Sequence, residues 1–249
     1  MSRLFINSIP RSGTHLLMRC ISHFPNYKSG ISCPGLIPYL SSYHSYRELL
    51  DLLSTLSVEK NNFIFGHLPF SKTVSKLLEE EHVVVLIPIR DPRDVIISQM
   101  NYIMSNKNHS LNSYFASLSS NIERLKALII GVDSPVKKQR LLPINEIYRQ
   151  MKGWTKNPRS LVVYYENLVG PRGKGSELKQ KNEIYKISNK IGVSLRKSDI
   201  ENICDQIYCP QTPGFRKGVA GDWQNELGPD ILETFNLCAQ ETLLEWNYN

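Results

Sequence analysis

The 249-residue chain is 41% hydrophobic and 21% charged, enough apolar content for one globular domain with a full core, which excludes a predominantly disordered chain. Its formal charge of +7 favours a polyanionic partner: nucleic acid, an acidic membrane surface or a phosphorylated small molecule. Five cysteines, Cys20, Cys33, Cys204, Cys209 and Cys238, are odd in number and lack the paired spacing of a zinc site, so reduced thiols in a cytoplasm are expected, and no metal.

In chain order, Leu4 to Asn7 reads as a strand and His15 to His23 as a helix. A helical pattern follows at Tyr46 to Leu56, then apolar strand-like runs at Phe63 to Phe65 and Val83 to Ile89. Helices are predicted over Asp94 to Ser105 and Leu118 to Ile130, and a fourth strand over Leu161 to Tyr165. Val169 to Ser176, rich in Gly and basic residues, reads as a mobile surface loop, and helices at Ile184 to Ile191 and Ile231 to Trp246 complete the series. This alternation predicts a three-layer α/β fold, a central parallel β-sheet flanked by helices, in a single domain spanning 1–249. No apolar run reaches the roughly 18 residues of a membrane span, and the N-terminus runs straight into a strand, so the expectation is a soluble, unsecreted protein. The scattered basic residues from Lys174 to Lys197 lack both a block of five and interleaved aromatics, so they read as a solvated helical face and not as a nucleic-acid surface.

In open α/β sheets ligands sit beyond the carboxyl ends of the strands. After the first strand comes Ser8-Ile-Pro-Arg11-Ser12-Gly13-Thr14-His15, a tight turn into a helix. Gly13 permits close backbone approach, the N–H groups around Ser12 to His15 face outward, and the helix dipole favours an anion. Arg11 and the hydroxyls of Ser12 and Thr14 could add donors. A Walker nucleotide loop is disfavoured, because Ser8, Thr14 and His15 stand where Gly, Lys and Ser/Thr are required. Taken alone, the triplet reads equally as a phosphate turn or as a helix cap. After Val83 to Ile89 comes Arg90-Asp91-Pro92-Arg93-Asp94, in which Asp91 suits an N-cap, Pro92 the first helical position and Asp94 a capping arrangement. Arg93 is expected to pair with a nearby carboxylate, whereas Arg90 and Ser98 could converge on an anion.

Together, Pro10-Arg-Ser-Gly-Thr-His-Leu, Gly66-His-Leu-Pro, Arg90-Asp-Pro-Arg-Asp-Val-Ile-Ile-Ser98, Tyr164-Tyr-Glu-Asn-Leu and Phe215-Arg-Lys-Gly-Val-Ala-Gly-Asp-Trp223 resemble, in order and spacing, the sulfotransferases that use 3′-phosphoadenosine 5′-phosphosulfate (PAPS) and release adenosine 3′,5′-bisphosphate (PAP). The resemblance implies a P-loop NTPase-like fold and a binding loop for the 5′-phosphosulfate at Arg11, Ser12, Gly13, Thr14 and His15. It implies a 3′-phosphate site at Arg90 and Ser98, closed over by Arg216, Lys217 and Gly218. Tyr165 corresponds to the tyrosine near adenine, and Phe215 is a further stacking candidate; Trp223 is read as structural. His67 matches the general base that takes the acceptor's proton. Arg11 stands where many relatives have the lysine that stabilises the departing bisphosphate, and keeps that charge.

The chain also departs from the pattern. A second lysine of cytosolic relatives, two residues before the histidine, is Phe65 here, with Lys72 or Lys217 available as substitutes. Gln224 and Gly228-Pro229 replace the family's dimerisation motif. The acceptor, a small molecule with a hydroxyl or amine, is expected among Tyr27 to Tyr46, the stretch after Phe70 and Met100 to Phe115, with Tyr39, Tyr43, Tyr102, Tyr114, Met100 and Met104 as candidate lining. The other readings are an ATP-dependent small-molecule kinase, which the absent Walker lysine opposes, and a non-catalytic polyanion-binding module.

Overall fold

A computed structural model describes residues 3–25, 27, 29–32, 62–134, 139–212 and 215–248. The helix expected at Tyr46 to Leu56, and Cys33, Tyr39, Tyr43 and His44, lie outside them. The described residues gather into two compact units, one from 3–32, 62–90 and 151–220, the other from 91–150 and 221–248. The two interleave along the sequence, so neither is a contiguous segment.

The first unit is built on five parallel strands: β1 (Arg3–Asn7), β2 (Ser29–Ser32), β3 (Asn62–Gly66), β4 (Val83–Ile89) and β7 (Ser160–Tyr164), in the order β2-β3-β1-β4-β7. β2 is one strand more than the apolar runs predict; Ser-Gly-Ile-Ser carries too little hydrophobic pattern to be read as one. β4 is buried along its whole length, the mark of a strand covered on both faces. Leu4, Ile6, Phe63, Val84, Leu86 and Val163 meet helices α1 (Thr14–Ser22), α8 (Glu177–Ile191) and α9 (Lys197–Ile207) in one core through Leu17, Ile21, Ile184, Ile187 and Ile203. Phe5, Ile64, Val85 and Ile87, which alternate with them, are buried as well. Tyr27 belongs to that core.

Sheet register sets up the site. β1 pairs with β3 as far as Asn7 and Gly66, but with β4 only as far as Ile6 and Leu86. β4 continues alone with β7 to Ile89 and Tyr164. Past Leu86, therefore, β4 has no β1 beside it, and Pro88, which lacks a ladder donor, is tolerated there. The carbonyl that Pro88 exposes in this notch is met by the hydroxyl of Ser12, at 2.7 Å.

α8 carries a buried polar stripe inside the basic run read as solvated. Its lysines are outward, but Glu183 is 1% exposed and receives the Tyr164 N–H (3.3 Å), Asn167 Nδ2 (3.2 Å) and Lys186 Nζ (3.2 Å). Gln180 donates to the Leu168 carbonyl at 3.0 Å. These bonds fix the corner where β7 passes into the short helix α7 (Tyr165–Leu168). The stretch expected as a mobile loop is instead a tied turn. The N–H groups of Gly173 and Gly175 both reach the Gly170 carbonyl, and the Gly173 carbonyl accepts from Ala220 N–H at 2.9 Å.

In the second unit α3 (Pro92–Ser105) starts as its sequence predicts, with Asp91 accepting from Arg93 N–H and Pro92 in the first turn. Arg93 pairs with Asp91 (2.7 Å) and lies 3.7 Å from the Trp223 ring centroid. Asp94 accepts the N–H groups of Gly221 (2.8 Å) and Trp223 (2.9 Å), far along the chain from its own helix. Ser98 is buried on α3. The unit also holds α4 (Asn112–Ser117), α5 (Asn121–Ile130), a hairpin of β5 (Val132–Ser134) and β6 (Gln139–Leu141), most of α6 (Ile144–Lys152), α10 (Trp223–Glu226) and α11 (Pro229–Glu245). Among the described residues no helix is long and apolar enough to cross a membrane.

Glu183 is the buried acceptor on which this corner rests. Glu183→Ala, which orphans the Tyr164 N–H, is expected to lower the unfolding free energy by about 1–3 kcal/mol, read from the urea midpoint at constant slope.

Candidate active site

Because all five strands are parallel, the residues following β1, β3, β4 and β7 emerge on one edge of the sheet. Those residues are the loop 8–15, His67, Arg90 and Tyr165, four separate segments that the sequence reading singled out. Ser98, on α3, is in the second unit.

The loop is a shaped turn. Arg11 has φ 70°, a left-handed conformation that costs a side-chain-bearing residue about 1 kcal/mol. Gly13 follows at φ 105°, and a Cβ there would stand 2.7 Å from Cδ2 of Tyr165, so both its dihedral and its space demand glycine. α1 begins at Thr14 with no side chain capping its first turn, leaving the positive end of the helix dipole available to an anion. Ser12 is fully buried, its hydroxyl proton lies between the Ile9 and Pro88 carbonyls and its N–H goes to the Ile9 carbonyl, so its side chain shapes the turn. The hydroxyl of Thr14 meets that of Ser8 at 2.7 Å.

His67 is tied to the same loop. Its Nδ1 lies 2.8 Å from the Ser8 carbonyl oxygen and 3.0 Å from Ser8 Oγ. A carbonyl can only accept, so Nδ1 carries the proton and Nε2 keeps its lone pair. Burial holds the imidazole pKa below its ordinary 6.5, the bond to Ser8 opposes that shift, and the charge of His15 adds to it. The imidazole is thus neutral near pH 7, with Nε2 as its one basic nitrogen.

Tyr165 joins the loop to Arg90. One side of the buried ring is crowded by Gly13, and the Arg90 guanidinium lies 4.3 Å from its centroid. Arg90 Nη2 also donates to the Val219 carbonyl at 2.8 Å, which fastens the segment 215–220 to this cluster. Within that segment Phe215 packs edge-on against Tyr208, a Cβ on Gly218 would collide with the Phe215 ring, and Tyr208 Oη donates to the Lys217 carbonyl at 3.0 Å. Phe215 therefore already has an aromatic partner. Arg216 is partly buried; Lys217 and Lys72 are exposed.

Sequence reasoning missed Asn7, Ser8 and Tyr208. Ser8 registers there only as the residue occupying a Walker glycine position, and Asn7 only as the last residue of a strand. The available signal was an asparagine closing the apolar run Leu4-Phe5-Ile6, and the structure shows it fully buried.

The sulfotransferase domain model matches residues 1–247. Among solved structures, the chain is similar to the mouse sulfotransferase SULT7A1 complexed with PAP, at 18% identity over 97% of this chain and 84% of that one, with a TM-score of 0.68. It is also similar to retinol dehydratase in complex with androsterone and inactive cofactor PAP (17% identity, 97% and 80% coverage, TM-score 0.61). A third similar structure is a sulfotransferase from Alicyclobacillus acidocaldarius (15% identity, 100% and 97% coverage, TM-score 0.54). At these identities the likeness is one of fold, and no curated protein matches the chain significantly by sequence. The parallel sheet, its opening strand–turn–helix and a family match over nearly the whole length agree: the chain belongs to the sulfotransferase family, with that family's P-loop-like α/β fold.

Proposed function

We propose that this protein transfers the sulfuryl group of PAPS to a hydroxyl or amine of a small-molecule acceptor, with His67 as general base. The observation that carries this reading is the continuous cluster from His67 through Ser8 and Gly13 to Tyr165 and Arg90, in which a neutral base and two cation- or dipole-lined anion positions adjoin.

The fit to PAPS is supported by the room that only glycine leaves at position 13, by the uncapped start of α1 and by the buried guanidinium of Arg90. The loop N–H groups and Arg11 suit the 5′ end of the nucleotide, Arg90 with Arg216 and Lys217 its 3′-phosphate, and Tyr165 its base. When bound, PAPS supplies an activated sulfuryl group on a phosphate leaving group. His67 Nε2 accepts the acceptor's proton as its oxygen or nitrogen bonds to sulfur, while the protonated Nδ1 keeps the ring facing one way through the Ser8 carbonyl. Arg11 and the start of α1 stabilise the charge that collects on the leaving oxygen. Phe65 in place of a second lysine leaves this stabilisation to fewer cations.

Calorimetry with PAP, ATP and heparin tests the donor class. Preference for PAP over ATP is expected; ATP preference would indicate a kinase, and heparin binding without PAP binding a polyanion module. Mass-spectrometric screening for acceptors that gain a sulfuryl group from PAPS tests the reaction itself.

His67→Ala is expected to lower turnover about 10²- to 10⁴-fold and leave PAP affinity unchanged; unaltered turnover under saturating substrates removes His67 from the mechanism. Arg90→Ala is expected to weaken PAP about 10- to 100-fold, the usual cost of a hydrogen bond to a charged group, and an unchanged dissociation constant refutes its assignment. The base works only when neutral and its pKa is lowered, so kcat/KM for PAPS, which reports the free enzyme, should fall as pH drops through a midpoint below 6.5. A midpoint above that value contradicts the desolvated imidazole.

A further inference from the structure

We propose that Asn7 is a positioning residue for His67, acting through the peptide of Leu68. This rests on the assignment of His67 as base. Asn7 ends β1 and is fully buried. Its side-chain Oδ1 accepts the Leu68 N–H at 2.7 Å, and its Nδ2 donates to the Leu68 carbonyl at 3.0 Å. The carboxamide thus forms a two-bond rung to a residue already past the last strand pair, Asn7 with Gly66. Trp154, also fully buried, donates its indole N–H to the same Leu68 carbonyl at 2.9 Å, and its ring meets Phe70 edge-on at 5.5 Å. Gly153 keeps that packing possible, since a Cβ there would overlap the Phe70 ring.

The geometric consequence concerns the residue in between. The His67 imidazole is held from the Ser8 carbonyl, the main chain before it by the Ser8 N–H on the Gly66 carbonyl at 3.0 Å, and the main chain after it by Asn7. The last residue of β1 and the one after it therefore fix both the ring and the backbone that carries it. Without the Asn7 rung the Leu68 peptide loses two of the three side-chain hydrogen bonds it makes among the described residues, and the direction in which His67 presents Nε2 is held from the Ser8 side alone. A misplacement of about 1 Å can cost a catalytic group some 10²-fold.

The test is a double-mutant cycle of Asn7→Ala with His67→Ala, measured as PAPS-dependent transfer to an acceptor found by the mass-spectrometric screen. Asn7→Ala should lower kcat about 10- to 100-fold with KM for PAPS and PAP affinity nearly constant, and it should cause no further loss when His67 is already alanine. Equal losses in both backgrounds, unchanged kcat, or PAP affinity falling in step would overturn the proposal. Trp154→Phe, which removes one of the two donors to the Leu68 carbonyl and keeps an aromatic ring, should give a smaller loss of the same kind. It carries the cycle if Asn7→Ala does not fold. Histidine 15N NMR reads the same point without turnover: in the unaltered protein His67 is protonated on Nδ1, and in Asn7→Ala this tautomer should lose its dominance. If His67→Ala keeps full turnover, the base assignment fails by itself, and the clamp is then judged on that tautomer, whose persistence in Asn7→Ala would refute it.

Discussion

The structure depends on the placement of one strand. β1 lies between β3 and β4, and it stops pairing with β4 before it stops pairing with β3. The unequal ends open a notch beside Pro88 on one side and keep Gly66 and His67 against Asn7 and Ser8 on the other. Into the notch folds the turn 8–15, pinned by the Ser12 hydroxyl on the Pro88 carbonyl. The residues beside Gly66 become the seat of His67. A single offset in register thus produces both the shaped turn 8–15 and the support of the histidine, and the two are joined at Ser8, whose carbonyl serves His67 and whose hydroxyl meets Thr14.

Much of this was legible in the sequence, for identifiable reasons. β4 and the core of β1 read correctly because a fully buried parallel strand must be a short continuous apolar run, and Val-Val-Val-Leu-Ile-Pro-Ile can be little else. Asp91 and Pro92 announced the start of α3 because capping chemistry is local. β2 was not legible, because its Ser-Gly-Ile-Ser is strand only by virtue of its neighbour β3. The polar groups whose distant partners were not legible, Ser12, Asp94 and the turn at 169–176, share one cause. Each donates to or accepts from backbone distant in sequence, and residue type says that a polar side chain will find a partner without saying which.

The site residues divide the same way. His67, Arg90 and Tyr165 follow strand ends, where topology alone guarantees proximity, and the chain does bring the loop, Tyr165 and Arg90 into contact. Phe215 was a stacking candidate from its motif, yet its ring is engaged by Tyr208 and abuts Gly218. This aromatic pair gives the segment 215–220 a folded shape of its own, and the Arg90 bond to Val219 together with the Ala220 N–H on the Gly173 carbonyl docks it. The glycine-rich turn at 169–176 thus has its task in holding that segment.

The surroundings of the His67 imidazole hold it neutral and fix its tautomer at the same time. Burial is the largest influence holding its pKa down and the interaction with His15 adds to it, while His15 is itself shifted toward its neutral form by burial and by Arg11. The only opposing influence is the Ser8 carbonyl, which receives the Nδ1 proton and so selects the tautomer without making the ring a cation. The carbonyl of Ser8 and the ring of His15 thus act on one imidazole from the same turn, which ties the tautomer and the neutrality of His67 to the shape of residues 8–15.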